Sequence, residues 1–145
     1  MIRLATTADA AAIATIYNHY VRSSTITCEE QIVGIDEMAQ RIASVGGQLP
    51  WSVFERNSEI VGYAYATPWR ARSAYRFSVE STVYVAHECV GQGIGRQLYI
   101  ALIDDLRKRQ LQVVRASLRI WPATVRAKLR RNFDASSSPR LPATR

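Results

Sequence analysis

The sequence predicts an α/β (α+β) domain in the element order β-α-α-β-β-β-α-β, in which the central helix follows the longest strand. Three observations carry this prediction. β-forming residues cluster between Trp51 and Val85, helical periodicity lies on either side of them, and the turn Gly91-Gln92-Gly93-Ile94-Gly95-Arg96 joins the longest β-rich run to an amphipathic one. The 145 residues, 48% hydrophobic and 21% charged, suit one folded domain rather than a disordered chain.

Ile2 to Ala5 suits a short first strand. Thr7 is placed to cap a helix and Asp9 favours its first turn, after which Ile13, Ile16, Tyr17, Tyr20 and Val21 fall on one face. A second helix is expected from about Ile35 to Ser44, with Ile35, Met38 and Ile42 inward and Gly46-Gly47 as its stop. Trp51 to Arg56 and Ile60 to Thr67, separated by Asn57-Ser58, read as a hairpin, and Pro68 to Arg72 as a loop. Tyr75 to Val85 is the longest strand, with Tyr75, Phe77, Val79, Val83 and Val85 as its β formers. Beyond the glycine turn, Ile94, Leu98, Leu102 and Leu106 recur every four residues, widened by Tyr99 and Ile103. Arg107-Lys108-Arg109 suits the C-terminus of that helix, and Gln112 to Leu118 suits one more strand.

The net charge of +7 is unevenly distributed. Residues 1–114 hold 11 Lys/Arg and 11 Asp/Glu, whereas residues 115–145 hold 8 and 1. The chain therefore divides into a neutral core, 1–114, and a divergent basic tail, 115–145, whose Ser136-Ser137-Ser138-Pro139 and Leu141-Pro142 suit a partly disordered end. A basic tail raises the possibility of a nucleic-acid-binding module, but only Trp121 and Phe133 supply aromatics there, so nucleic acid is not the expected partner. No apolar run approaches the ~20 residues of a membrane span, and the start lacks a signal-peptide core, which makes the cytoplasm the default. Cys28 and Cys89 read as free thiols, Cys89 having no readable base to activate it. His19 and His87 lack metal-ligand spacing and read as a packed and a surface residue; no metal is expected. Tyr17, Tyr20, Tyr63 and Tyr65 read as core or pocket wall.

A strand, a glycine turn and a helix N-terminus together form an anion site, because the first N–H groups of a helix are unpaired and glycines let a phosphate approach them. A P-loop is excluded, since the turn lacks the lysine and the hydroxyl that follows it. A dinucleotide fingerprint fits poorly, because its third glycine comes one residue early and Arg115 stands near where a ribose-binding acid belongs. Acyl-coenzyme A is the third reading.

On these residues the chain resembles the GCN5-related N-acetyltransferase (GNAT) superfamily, whose pyrophosphate loop has the pattern Gln/Arg-x-x-Gly-x-Gly/Ala, here with Val90 in place of a basic or amide side chain. The resemblance is closest to the phosphinothricin N-acetyltransferase branch. It rests on Ile16-Tyr17-Asn18-His19-Tyr20-Val21, Gly62-Tyr63-Ala64, Pro68 to Arg76 and Val79-Glu80-Ser81-Thr82-Val83-Tyr84-Val85, and covers roughly residues 1–114. It implies a central mixed, mostly antiparallel sheet flanked by helices, acetyl-CoA as co-substrate and a small-molecule amine as acceptor, with direct attack of the amine on the thioester. Glu80 matches the family's catalytic glutamate and is expected to take the proton from the ammonium. Val83, Tyr84 and Val85 would hold the pantetheine arm, Gly91, Gln92, Gly93, Ile94, Gly95 and Arg96 the pyrophosphate, and Arg72 and Tyr75 the acceptor.

Family members continue with an asparagine-containing loop, a further helix and a last hairpin that often completes a dimer. From about Arg115 this chain departs from that pattern, so the C-terminal part of the fold is expected to be missing and the reading frame to shift near Val114 to Arg115. A homodimer remains an expectation, and so does a variant reading in which the chain keeps the fold or coenzyme A binding without catalysis.

Overall fold

The computed structural model describes residues 1–24, 27, 29–45, 47–69 and 77–117. Five strands, β1 (Ile2–Leu4), β2 (Trp51–Arg56), β3 (Glu59–Pro68), β4 (Ser78–Val85) and β5 (Gln112–Ser117), lie side by side in chain order. Neighbours pair antiparallel as far as β4, and β5 joins β4 parallel. The sheet is thus mixed and mostly antiparallel, as the family resemblance implies. The parallel crossover is α3 (Ile94–Lys108); α1 (Ala10–Ser23) and α2 (Ile35–Val45) precede β2.

Alternation along the strands allots the two sheet faces. On β3, Gly62, Ala64 and Ala66 lie opposite Val85, Val83 and Ser81 of β4. These small residues let α3 approach closely: a Cβ added at Gly62 would lie 3.0 Å from Leu98 Cδ1 and 3.3 Å from Ile94 Cγ2. The stripe expected on α3 is buried throughout, at Ile94, Leu98, Tyr99, Leu102, Ile103 and Leu106. The other face belongs to aromatics. Tyr63 stacks on Tyr84 with centroids 5.3 Å apart, Trp51 stacks on Tyr65 at 4.4 Å, and Tyr17 of α1 meets Tyr84 edge-on at 5.5 Å.

Several boundaries differ from the sequence reading, each for a local reason. Thr6 rather than Thr7 opens the α1 region: its N–H donates to the Asp9 carboxylate at 2.8 Å, and Thr7–Asp9 form a 3-10 turn before the α-helix proper. Asp9 is in turn drawn to Arg3 through two bonds of 2.8 Å, so the cap is set by a charged partner on β1. Ile35, expected inward, is exposed, because as the first residue of α2 it lies beyond the turn that Met38 and Ile42 bury. Phe77 is an exposed turn residue and β4 starts at Ser78; Tyr75 lies outside the described residues. Gln110 takes φ +58 just past α3, the left-handed position where a glycine is usual. The hairpin turn Asn57-Ser58 has positive φ at both residues, the mirror-image geometry that suits two-residue hairpins. No described helix is long and apolar enough to cross a membrane.

Candidate active site

β4 organises the site through strand parity. Ser78 O accepts from Trp69 N–H at 3.0 Å, and Ala86 N–H donates to Val61 O at 2.8 Å. Alternation then turns the backbone groups of Glu80, Thr82 and Tyr84 toward β3, and those of Ser81, Val83 and Val85 toward the other edge. β5 pairs along that edge only as far as Thr82, opposite Ser117, with a bulge at Val114 between the partners of Val79 and Glu80. Beyond Thr82, the edge at Val83 and Val85 has no strand partner among the described residues. The Val83 and Val85 side chains are buried core residues, which leaves their backbone groups at that edge for the second reading of them. The Tyr20 hydroxyl donates to Val85 O at 2.6 Å, a contact no local pattern in the sequence announces. Tyr84 is placed differently from its neighbours: its ring is buried among tyrosines and its backbone faces β3.

The strand then leads through a 3-10 turn, His87–Cys89, into the glycine turn. Gly91 and Gly93 take φ +86 and +79, and neither would have a heavy atom within 4 Å of an added Cβ. The backbone is therefore open to an approaching group on both. Gly93 caps α3, whose first α-helical bond runs from Gln97 N–H to Gly93 O at 3.2 Å, so the N–H groups of Ile94, Gly95 and Arg96 have no partner within the helix. The first turn carries no acid, and Arg96 is exposed on it. Positive charge at a helix N-terminus is unfavourable by itself and favourable once an anion sits there. The Gln92 side chain is directed elsewhere: its Oε1 accepts from Arg56 Nη1 at 2.7 Å, and its Nε2 donates to Glu88 O at 3.2 Å. Arg56 Nη2 also reaches Cys89 Sγ at 3.1 Å, which makes Arg56 the brace of the turn and keeps Cys89 a buried, packed thiol. Sequence reading missed Arg56, since nothing local ties a hairpin residue to a turn 36 positions later.

Glu80 is half-buried on the aromatic face, opposite Thr67 of β3. Thr67 also borders a cavity of about 200 Å³ between α2 and the sheet, walled by Tyr17, Met38, Arg41, Trp51 and Tyr65 among others. Directly opposite residues on paired strands hold their Cβ atoms about 5 Å apart, so the expected base, which does not itself line the cavity, neighbours a residue that does. Arg41 is held by Glu29 at 2.7 Å and by Glu37 one turn away. Burial, and then the nearby Glu29 carboxylate, push the Tyr17 phenol up to about 12, while burial raises Tyr63 well above the ordinary range. Both phenols remain neutral at physiological pH. The rings of His19 and His87, both exposed, lie 4.8 Å apart, so His19 is not the packed residue expected: it lies on the outward side of α1, next to the buried Tyr20. Arg72 and Tyr75, the expected acceptor contacts, lie outside the described residues, as do Cys28 and the chain from residue 118 onward.

Comparison with known proteins accords with this geometry. The family model of the acetyltransferase (GNAT) domain matches residues 2–118. A phosphinothricin N-acetyltransferase of Alcaligenes faecalis is 46% identical over 103 residues, 70% of this chain and 52% of that protein. An L-methionine sulfoximine/L-methionine sulfone acetyltransferase of Salmonella typhimurium is 38% identical over 108 residues, 74% of this chain and 63% of that protein. The chain thus spans about half to two thirds of the length of these curated relatives. Among solved structures, a GNAT superfamily phosphinothricin acetyltransferase from Sinorhizobium meliloti in complex with acetyl-CoA superposes with a TM-score of 0.71 at 35% identity, covering 74% of this chain and 60% of that one.

Proposed function

The chain belongs to the GNAT acetyltransferase family, and on that premise we propose that it is an acetyl-CoA-dependent N-acetyltransferase whose acceptor is the amine of a small amino acid or analogue, of the phosphinothricin or methionine sulfoximine kind. The observation that carries this reading is the division of labour on β4. One strand sets Glu80 opposite Thr67, which lines a cavity of about 200 Å³, turns the Val83 and Val85 backbone to an edge without a strand partner among the described residues, and leads into an open glycine turn at a helix N-terminus.

In this reading the N–H groups of Ile94, Gly95 and Arg96, with the exposed Arg96 guanidinium, hold the pyrophosphate, and Gly91 and Gly93 admit it by presenting no side chain. Val83 and Val85 hold the pantetheine arm as an added strand would be held. The co-substrate supplies an acyl carbon activated as a thioester, with a thiolate as leaving group. Glu80 accepts the proton that the ammonium must lose before its nitrogen can attack, directly or through one water. Arg72 and Tyr75 are assigned to the acceptor on the family pattern, Arg72 as the partner of its carboxylate. Residues 1–114 form the catalytic core in this proposal and 115–145 a divergent tail; a cytoplasmic location and a homodimer belong to the same proposal, and light scattering tests the latter.

The test is acetyl-CoA binding by calorimetry, followed by thiol release with a panel of amino-acid amines, on the parent and on Glu80→Gln. The expected result is binding by both proteins and a loss of about 10²–10⁴ in kcat for the variant. Absence of acetyl-CoA binding by the parent refutes the proposal. Binding without turnover favours a protein that keeps the cofactor site alone, and an unchanged rate in Glu80→Gln removes Glu80 as base.

A further inference from the structure

We propose that Arg56 is a positioning residue of the cofactor site: its guanidinium spans the glycine turn from the β2 side and holds it in the form that receives phosphate. Arg56 then governs affinity for the phosphate-bearing end of acetyl-CoA rather than the acetyl-transfer step. This rests on the acetyltransferase reading and deepens it, since the other residues assigned to the pyrophosphate all lie between Gly91 and Arg96.

Topology brings hairpin and turn together. β2 and β4 are both antiparallel to β3, so they run in the same direction and finish at the same end of the sheet. Gly62 of β3 pairs with Phe54 on one side and with Val85 on the other. Arg56, the last residue of β2, and Cys89, in the 3-10 turn that follows β4, therefore flank the start of β3. The guanidinium bridges that gap with both of its ends: Nη2 reaches Cys89 Sγ at 3.1 Å, and Nη1 donates to Gln92 Oε1 at 2.7 Å. One planar group thereby ties the buried residue that leads into the turn to the exposed residue at its tip.

The turn has little else to hold it. Between Val90 N–H, bonded to His87 O at 3.3 Å, and Gly93 O, bonded to Gln97 N–H at 3.2 Å, the main chain makes no backbone hydrogen bond among the described residues. Gly91 and Gly93 stand at φ +86 and +79, and glycine visits such backbone about as readily as its mirror image, so the glycines themselves do not select this form. Selection falls to the Gln92 side chain, whose Nε2 donates to the local Glu88 O while its Oε1 takes the bond from a separate strand. Val90 is apolar and 41% exposed, and adds no such tie. The charge of the brace matters as well. Both acceptors of Arg56 are neutral, and it makes no ion pair among the described residues. It thus adds a second exposed cation, besides Arg96, near a helix N-terminus that already carries partial positive charge. A neutral amide could brace the turn without that repulsion; a cation suits a turn whose occupant is an anion.

The test compares Arg56→Lys with the parent on two acetyl donors, acetyl-CoA and S-acetylpantetheine, the second carrying the thioester and the arm but no phosphate. Lysine keeps the charge, but its single nitrogen cannot span Cys89 and Gln92 as the fork does. The expected result is a rise of about 5- to 30-fold in the Kd for acetyl-CoA, read by calorimetry, and in its KM, with kcat at saturation and kcat/KM for S-acetylpantetheine both within about twofold of the parent. Unchanged acetyl-CoA affinity overturns the proposal, and so does an equal fall in kcat/KM with both donors, which is what general loosening would give. Gln92→Leu removes the other half of the same bond and should raise the Kd by a similar factor, with no further rise when the two substitutions are combined. An unchanged Kd in Gln92→Leu, or additive rises in the double variant, overturns the proposal as well, and the Gln92→Leu arm decides alone if Arg56→Lys fails to fold. A parent that binds acetyl-CoA yet releases no thiol with any amine refutes the acetyltransferase reading, while the calorimetric comparison still decides the role of Arg56.

Discussion

Gly62→Ala tests whether the close seat of α3 on β3 is what holds the glycine turn in place. The added Cβ would lie 3.0 Å from Tyr84 O, 3.0 Å from Leu98 Cδ1 and 3.3 Å from Ile94 Cγ2. The leucine methyl can rotate away, but the carbonyl is strand backbone and Ile94 is the first residue of α3, so relief comes by lifting the helix N-terminus. Forcing a methyl into a packed contact costs about 1–3 kcal/mol. Gly62 is not among the positive-φ glycines, so alanine also returns about 0.4–1 kcal/mol by restricting the unfolded chain. The net is a loss of roughly 0.5–2 kcal/mol, measured by urea unfolding at constant m-value. The second readout distinguishes this mechanism from general loosening. Lifting Ile94 moves the N–H groups proposed to bind pyrophosphate, so acetyl-CoA affinity should fall about 3- to 10-fold under conditions where the variant is fully folded, while acceptor discrimination stays put. Leu98→Ala, which opens a cavity at a fully buried position, should cost less on the Gly62→Ala background than in the parent, since the new methyl occupies part of the space it vacates; the double-mutant cycle reads that coupling. A Gly62→Ala protein as stable as the parent, with unchanged acetyl-CoA affinity, would refute the reasoning.

Three further outcomes are expected. Arg3 bridges Asp9 bidentately and Glu55 through Nε, all at 2.8 Å, and holds the Asp9 carboxyl at about 2, below its ordinary 3.8; the stability this gives is full above pH ~4 and lost as pH falls toward 2, about 1–2 kcal/mol after allowing for solvent around Arg3, and Arg3→Met should flatten that acid limb in a Tm-versus-pH series. If the slope of the series is the same with Arg3→Met, the bridge is not its source. Gly93→Ala places a side chain at φ +79 in open space, so strain alone should cost about 1–2 kcal/mol in denaturant unfolding and weaken acetyl-CoA binding in calorimetry; a larger stability loss would mean a packing contact that the geometry does not show. Tyr20→Phe removes the hydroxyl that ties α1 to Val85 O at 2.6 Å and should cost about 1–2 kcal/mol while raising the KM for acetyl-CoA more than that for the acceptor; equal changes in both would argue against Val85 as part of the pantetheine edge.

What could be read from residues alone follows the range of the interactions involved. The α3 stripe repeats every four residues, and the hairpin turn needs only its own two residues in left-handed backbone, so both were legible. The glycine turn was legible as a turn for the same reason: its open backbone depends on what Gly91 and Gly93 lack. Ile35 and Phe77 misled because periodicity continues past the point where a helix or strand has anything to pack against. Arg56 on Gln92, Tyr20 on Val85 and the cavity formed by Tyr17, Arg41 and Trp51 join residues 10 to 65 positions apart, and no local pattern encodes such pairs. Even the Thr6 cap depends on Arg3 of the first strand drawing Asp9 into place.

The two halves of the proposed site share one structural determinant, the register of β3 against β4. A slip of β4 by one residue would turn Glu80 onto the α3 face and bring Val79 or Ser81 to the cavity; the same slip would point the Val83 and Val85 backbone groups at β3. Base and cofactor edge would be lost together. Two features oppose that slip. Gly62 is the β3 residue beneath Ile94 and Leu98, and a register that put Val61 or Tyr63 there would drive a large side chain into α3. On the other face, Tyr63 meets Tyr84 at 5.3 Å, and the slipped strand would offer a valine to that stack. A glycine on one face and a tyrosine pair on the other therefore hold the register on which the proposed chemistry depends, although neither Gly62 nor Tyr63 is proposed to touch acetyl-CoA or the acceptor's amine.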